Sequence, residues 1–95
     1  MTTHRVTAPH VVCEHGAALV DMRAGDLVFL NPSAGRVLAH LAAGIDTTVI
    51  ATRIGDATGA PADVVERDVR ALVDALARRG LLGETNTPSV RRNRR

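Results

Sequence analysis

His10, Cys13 and His15 form an H-x-x-C-x-H cluster, the first place in this chain where chemistry is conceivable. Zinc takes three or four such ligands in tetrahedral geometry. A fourth would have to come from His4 or from an acid such as Glu14. On a strand Cys13 and His15 share a face and His10 points the other way, which works against a common ion. The plainer reading is a buried cysteine with exposed histidines near a turn. Nucleophilic catalysis needs an activated Cys or Ser beside a base. Cys13 could pair with His15 or His40, but nothing marks the thiol as activated. Gly25 to Gly35 has neither the phosphate-loop nor the dinucleotide glycine spacing. Asp63, Glu66, Asp68 and Asp74 fall on one predicted helix, interleaved with Arg67, Arg70 and Arg78, as on a solvated face. No catalytic residue, metal ligand or cofactor is expected, and the chain is not read as an enzyme.

The elements that would position any site are clearer than the chemistry. In the stretch Gly25 to Gly44, an apolar strand, Leu27-Val28-Phe29-Leu30, runs straight into a helix start. Asn31 suits the N-cap, where its side-chain oxygen can accept from an orphan N–H. Pro32 suits the first helical position. Ala34, Val37, Leu38 and Leu41 then repeat at helical spacing, and Gly44 can end the helix in the left-handed conformation. Upstream, His10–Glu14 and Ala17–Met22 read as two strands with a turn at His15-Gly16. Three strands joined by short loops should pair as an antiparallel meander. The third, Asp26–Leu30, has no later strand to pair with, so at the sheet edge it offers unpaired N–H and C=O groups.

Downstream, Asp46 or Thr47 can cap a short second helix with Val49, Ile50, Ile54 and Ala57 on its apolar face, despite many β-branched residues. Gly59-Ala60-Pro61 is a break. From Pro61 to Arg79 the residues Val65, Val69, Leu72, Val73 and Leu76 lie within about 100° of a helical wheel. Asp63 and Glu66 near the start and Arg78 and Arg79 at the end suit the helix dipole. Gly80 is a natural C-cap, followed by Leu81 at the position that folds back on the last turn. Strands precede helices, which makes the chain an α+β domain with a winged-helix-like arrangement.

Its 95 residues suit one domain. A core this small buries only about 60–65% of the unfolded surface. It must be Val, Leu, Ile and Ala, since Phe29 is the single aromatic residue. One cysteine excludes an internal disulfide, which fits a reducing cytoplasm. Residues 1–9 read as a flexible arm with no apolar signal segment, and no apolar run is long enough for a membrane span. Residues 10–83 form the domain, and 84–95 read as a disordered tail. The net charge of +2 comes from Arg91, Arg92, Arg94 and Arg95, and the body is slightly acidic. Those arginines allow weak phosphate contact, but the last helix mixes acids with its arginines and offers no basic stripe for a DNA groove. What remains is a surface for another chain. An apolar edge strand beside an amphipathic helix can accept an extended peptide by β-augmentation.

Leu19-Val20-Asp21-x-Arg23-x-Gly25, Leu30-Asn31-Pro32, Leu41-Ala42-Ala43-Gly44, Asp68-Val69-x-x-Leu72-Val73-x-x-Leu76 and Gly80-Leu81-Leu82, in that order, resemble the PqqD-like peptide chaperones. These are the RiPP recognition elements, and the resemblance runs from about residue 17 to 83. Within them the chain is most similar to the standalone leader-binding proteins of lasso peptide biosynthesis. The resemblance implies three strands and three helices that bind the leader of a ribosomal precursor peptide as an added strand on strand three, in a groove closed by helix three. It implies backbone pairing by Leu27, Val28, Phe29 and Leu30, a groove wall or floor from Val69, Leu72, Val73 and Leu76, and a polar contact from Asp68, with Leu30 closer to core than to contact. It also implies a cytoplasmic protein that hands the precursor to a leader peptidase, a transglutaminase-like cysteine protease, with a cyclase as a further candidate partner. Many relatives carry aromatics two and three residues after the glycine, where this chain has Leu27 and Val28. The alternatives are the peptide chaperone of pyrroloquinoline quinone synthesis, which serves a radical SAM enzyme, and a small winged-helix DNA-binding protein. A monomer and an edge-paired dimer are both compatible with an open edge.

Overall fold

Leu19 and Phe29 stand on opposite faces of one antiparallel sheet, and that division organises the molecule. The computed structural model describes residues 3–84. Strands β1 (His4–Val6), β2 (His10–Cys13), β3 (Gly16–Asp21) and β4 (Asp26–Leu30) are followed by helices α1 (Pro32–Ala42), α2 (Thr47–Thr58) and α3 (Ala62–Arg78), then by β5 (Leu82–Glu84). The central sheet has the order β2-β3-β4. In its register Leu19 pairs with Val28 and Ala18 with Phe29. Ala17, Leu19 and Asp21 turn inwards and are buried. Val28 and Leu30 turn the same way and pack on the core.

The inner face is covered by helices. Leu19, Leu38, Leu41 and Ile50 are fully buried. Each such side chain contributes about 1.5–3 kcal/mol by leaving water. Asn31 caps α1 as expected, accepting from the Ala34 N–H at 2.9 Å. The α1 helix can lie close to the β2–β3 turn only because both contact residues are glycines. A Cβ on Gly35 would sit 2.9 Å from the Gly16 carbonyl carbon. Gly16 itself is at φ +136°, and a Cβ there would run into the Leu30 carbonyl oxygen.

Residues 47–58 are helical despite their β-branched content, but the apolar face differs from the expected one. Ile50 and Ala51 are buried and Ile54 is half-buried, whereas Val49 and Ala57 are exposed. The α3 helix ends in a Schellman turn. The Leu81 N–H donates to the Leu76 carbonyl and the Gly80 N–H to the Ala77 carbonyl, each at 3.0 Å. Leu81 then folds back into the core at 3% exposure.

Two expectations about the ends need correction. The arm 1–9 contains β1, which pairs antiparallel with β5 through Val6 and Leu82. Glu84, assigned to the tail, ends β5. The remainder of the tail, 85–95, lies outside the described residues.

Candidate functional site

The margin of β4 carries the geometry of interest. The Val20 N–H donates to the Pro9 carbonyl at 2.9 Å, so at Val20 the β3 backbone points towards β2. Successive residues of an antiparallel ladder alternate sides. Ala17, Leu19 and Asp21 therefore point towards β4, and Leu30, Val28 and Asp26 are the hydrogen-bonded positions opposite them. Leu27 and Phe29 are left with N–H and C=O groups directed out of the sheet. Among the described residues no strand pairs with that margin. The N-terminal strand does not cover it, because β1 is engaged with β5. By the same alternation His10 and Val12 face outwards at the opposite margin, on β2.

The side chains of Leu27 and Phe29 lie on the outer face, 53% and 73% exposed. Val11 on β2 is 64% exposed beside them. With Ala18 and Val20 they make an outer sheet face that carries no charge. An antiparallel sheet with one wet face normally presents polar residues there. Large contiguous apolar faces are where proteins commonly meet partners.

The residue after α3, Arg79, is tied to Asp26 at the start of β4, and Val64, Asp68 and Leu72 of α3 share a hollow with Asn31 and Ser33, just beyond the end of β4. No Cα of α3 comes within 8 Å of a Cα of β4, whereas α1 comes that close to β2, β3 and β4. A groove of about 520 Å³ opens where β4 ends, between α1, the end of α2 and α3. Asp68, Val69 and Leu72 line it from α3, Ala34 and Val37 from α1, and Ile54 from α2. Asp68 is exposed at its rim, Leu72 is half-buried and Val69 is buried.

Two of the residues expected as groove wall or floor do not line this hollow. Leu76 is 2% exposed and belongs to the core. Val73 is buried and lines a separate hollow with His4, Glu66 and Arg70, which Val69 also reaches. The α1 and α2 walls were not foreseen. The apolar spacing of Ala34, Val37 and Ile54 marks a covered face without saying that part of it lines a groove.

One polar link across the site also escaped the sequence reading. Arg79, at the end of α3, donates from Nε to Asp21 Oδ2 at 3.1 Å. Its Nη2 lies 3.0 Å from the same oxygen and 3.2 Å from Asp26 Oδ1. The other Asp21 oxygen accepts the N–H groups of Arg23 at 3.1 Å and Ala24 at 3.0 Å, closing the β3–β4 turn. The Ala24 N–H holds the Asp21 carboxyl below the ordinary aspartate range; burial opposes this, and Arg79 adds to the lowering. The available signal was an aspartate at an inward position of an apolar strand.

His10 and Cys13 lie on the exposed strand β2, and His15 in the turn after it. Cys13 is exposed, not buried, because β2 is an edge strand whose residues are all exposed. The His10 ring Nδ1 lies 2.9 Å from the Ala8 carbonyl oxygen. His15 sits near Glu14 at 3.6 Å in solvent. Among the described residues no three His, Cys, Asp or Glu side chains are placed to hold a metal ion. No helix among them is long and apolar enough to cross a membrane.

Residues 16–82 match the family model described as coenzyme PQQ synthesis protein D (PqqD). No curated protein matches the chain. Two solved structures share the fold. One is described as TbiB1 in complex with the TbiA(beta) leader peptide. It is 22% identical with a TM-score of 0.74, over 84% of this chain and 93% of that one. The other is described as lasso peptide synthetase B1 complexed with the leader peptide. It is 25% identical with a TM-score of 0.72, over 85% of this chain and 95% of that one.

Proposed function

This chain belongs to the PqqD family as a RiPP recognition element, and we propose that it binds the leader of a lasso precursor peptide as a fourth strand on β4. The observation that carries this reading is the margin at Leu27 and Phe29, which no strand pairs with among the described residues, with an apolar groove between α1, α2 and α3 beyond the end of β4. The four outward N–H and C=O groups of those residues give a peptide backbone its register. Each hydrogen bond contributes a net ~0.5–1.5 kcal/mol. Val28, Leu30, Val69 and Leu72 offer apolar contact on the inner side, and Asp68 a polar contact at the rim. Val73 and Leu76 act from beneath, by fixing α3. The protein is non-catalytic on this reading and presents the bound precursor to a leader peptidase. The uncharged outer face at Val11, Leu27 and Phe29 leaves surface for such a second protein. A cyclase then acts on the freed core peptide.

One observation favours lasso precursors over other peptides: a structural relative is described as lasso peptide synthetase B1 complexed with the leader peptide, and the other, TbiB1, is also described with a leader peptide. A second reading, delivery of the pyrroloquinoline quinone precursor to a radical SAM enzyme, draws on the description of the matching family. Neighbouring genes separate the two. A leader peptidase and an asparagine-synthetase-like cyclase support the first, and a radical enzyme the second.

Titration of the full chain with a fluorescein-labelled synthetic leader, taken from the precursor encoded beside this gene, tests the proposal. Saturable binding well above a scrambled peptide is expected. Equal binding of the two peptides contradicts it.

A further inference from the structure

The bridge from Arg79 to Asp21 and Asp26 lies outside the groove, yet it joins the two walls between which a peptide strand would have to fit. We propose that Arg79 is a positioning residue that sets the spacing of α3 from β4 and so tunes the peptide site. The inference rests on the leader-binding reading.

Asp21 ends β3 and Asp26 begins β4, and the two are register partners. One guanidinium spans both carboxylates. That fork geometry suits Arg and not Lys, whose ammonium is a single point donor. Among the described residues, these contacts are the side-chain hydrogen bonds that run from the end of α3 to the β3–β4 hairpin. Both walls change direction at this junction. The hairpin turns there, and Gly80, at φ +78°, reverses the chain after α3 with the Arg23 side chain lying across it. Thr7 also donates to the Gly80 carbonyl at 3.2 Å.

Global stability does not depend mainly on this bridge. Val65, Val69, Val73 and Leu76 already hold α3 in the core. The Arg79 side chain is 43% exposed, where ion pairs contribute little to stability. Without Arg79, Asp21 keeps its two backbone donors. Loss of the bridge therefore frees the end of α3 relative to β4 while leaving the fold standing.

The test compares Arg79→Gln, Arg79→Lys, Asp26→Asn and the control Arg70→Gln, whose side chain lies on another face of α3 near Glu66. Each full chain is titrated with the same labelled leader, and amide hydrogen exchange is followed without peptide. Arg79→Gln should remain folded, lose about five-fold in leader affinity, and exchange faster at the Gly80 and Leu81 amides. Arg79→Lys should fall between it and wild type, and Arg70→Gln should match wild type. Asp26→Asn should cost roughly three-fold and add nothing on top of Arg79→Gln, as coupled partners do. A folded Arg79→Gln that binds within two-fold of wild type overturns the proposal. If Arg79→Gln does not fold, wild-type affinity in Asp26→Asn overturns it instead. Wild type failing to bind the leader sinks the functional reading itself, and the exchange rates at Gly80 and Leu81 still judge the bridge.

Discussion

Asp21 combines near-complete burial with a full set of donors: two backbone N–H groups on one oxygen and the Arg79 guanidinium on the other. Its folded pKa lies below the ordinary 3.8. The unfolded chain therefore binds more protons than the native one in this range. The contribution of Asp21 to stability is complete above about pH 3.8 and is lost as the pH falls through the lower folded value. Asp21→Asn should flatten the fall of the urea midpoint below that pH relative to wild type. Parallel curves for the two proteins would show that Asp21 does not titrate in this way. Phe29 makes a different case. Its side chain points outwards, where an added strand would place its own outward residues beside it. Phe29→Asp removes a cross-strand apolar pair and installs a poor strand former, a cost of about 1 kcal/mol or roughly five-fold in leader affinity. Circular dichroism should be unchanged, because the residue touches no core.

At the level of elements, the close approach of α1 to the β2–β3 turn depends on Gly16 and Gly35. Gly35→Ala should lower stability by about 1–3 kcal/mol in urea unfolding, since backbone must shift to admit the methyl group. An unchanged midpoint would mean that the helix can back away without loss. Elements whose signals are local were legible in the sequence. Strand β4 occupies the expected residues, Asn31 caps α1, and Gly80-Leu81 close α3 as their types imply. The pairing of β1 with β5 was not legible. Three-residue strands from opposite ends of the chain have no local signature, and His4–Val6 alone looks like a polar arm. Nor could spacing divide the apolar stripe of α3. It placed Val69, Leu72, Val73 and Leu76 within one arc, but where core stops and groove begins depends on what packs against each residue. Leu72 is left half-open while Val73 and Leu76 are sealed by neighbours the sequence does not identify.

The whole molecule joins a three-stranded sheet with β4 unpaired on one side among the described residues, an α3 wall tethered at one end by Arg79, and a groove at the other. A leader held as a fourth strand on β4, as proposed, would draw its affinity from main-chain pairing and apolar contact, with few charges in the site. Leader affinity should therefore fall only a few-fold between about 50 and 200 mM salt. A nucleic-acid binder making six to ten phosphate contacts would lose about 10³–10⁵ over that range. The alternation of the β4 backbone makes the central claim testable residue by residue. Amide hydrogen exchange of the full chain, measured with and without saturating leader, reads it directly. The prediction is new protection at Leu27 and Phe29, with Val28 already protected in the free protein. Protection appearing instead at His10 and Val12, or at no margin of the sheet, would contradict the account.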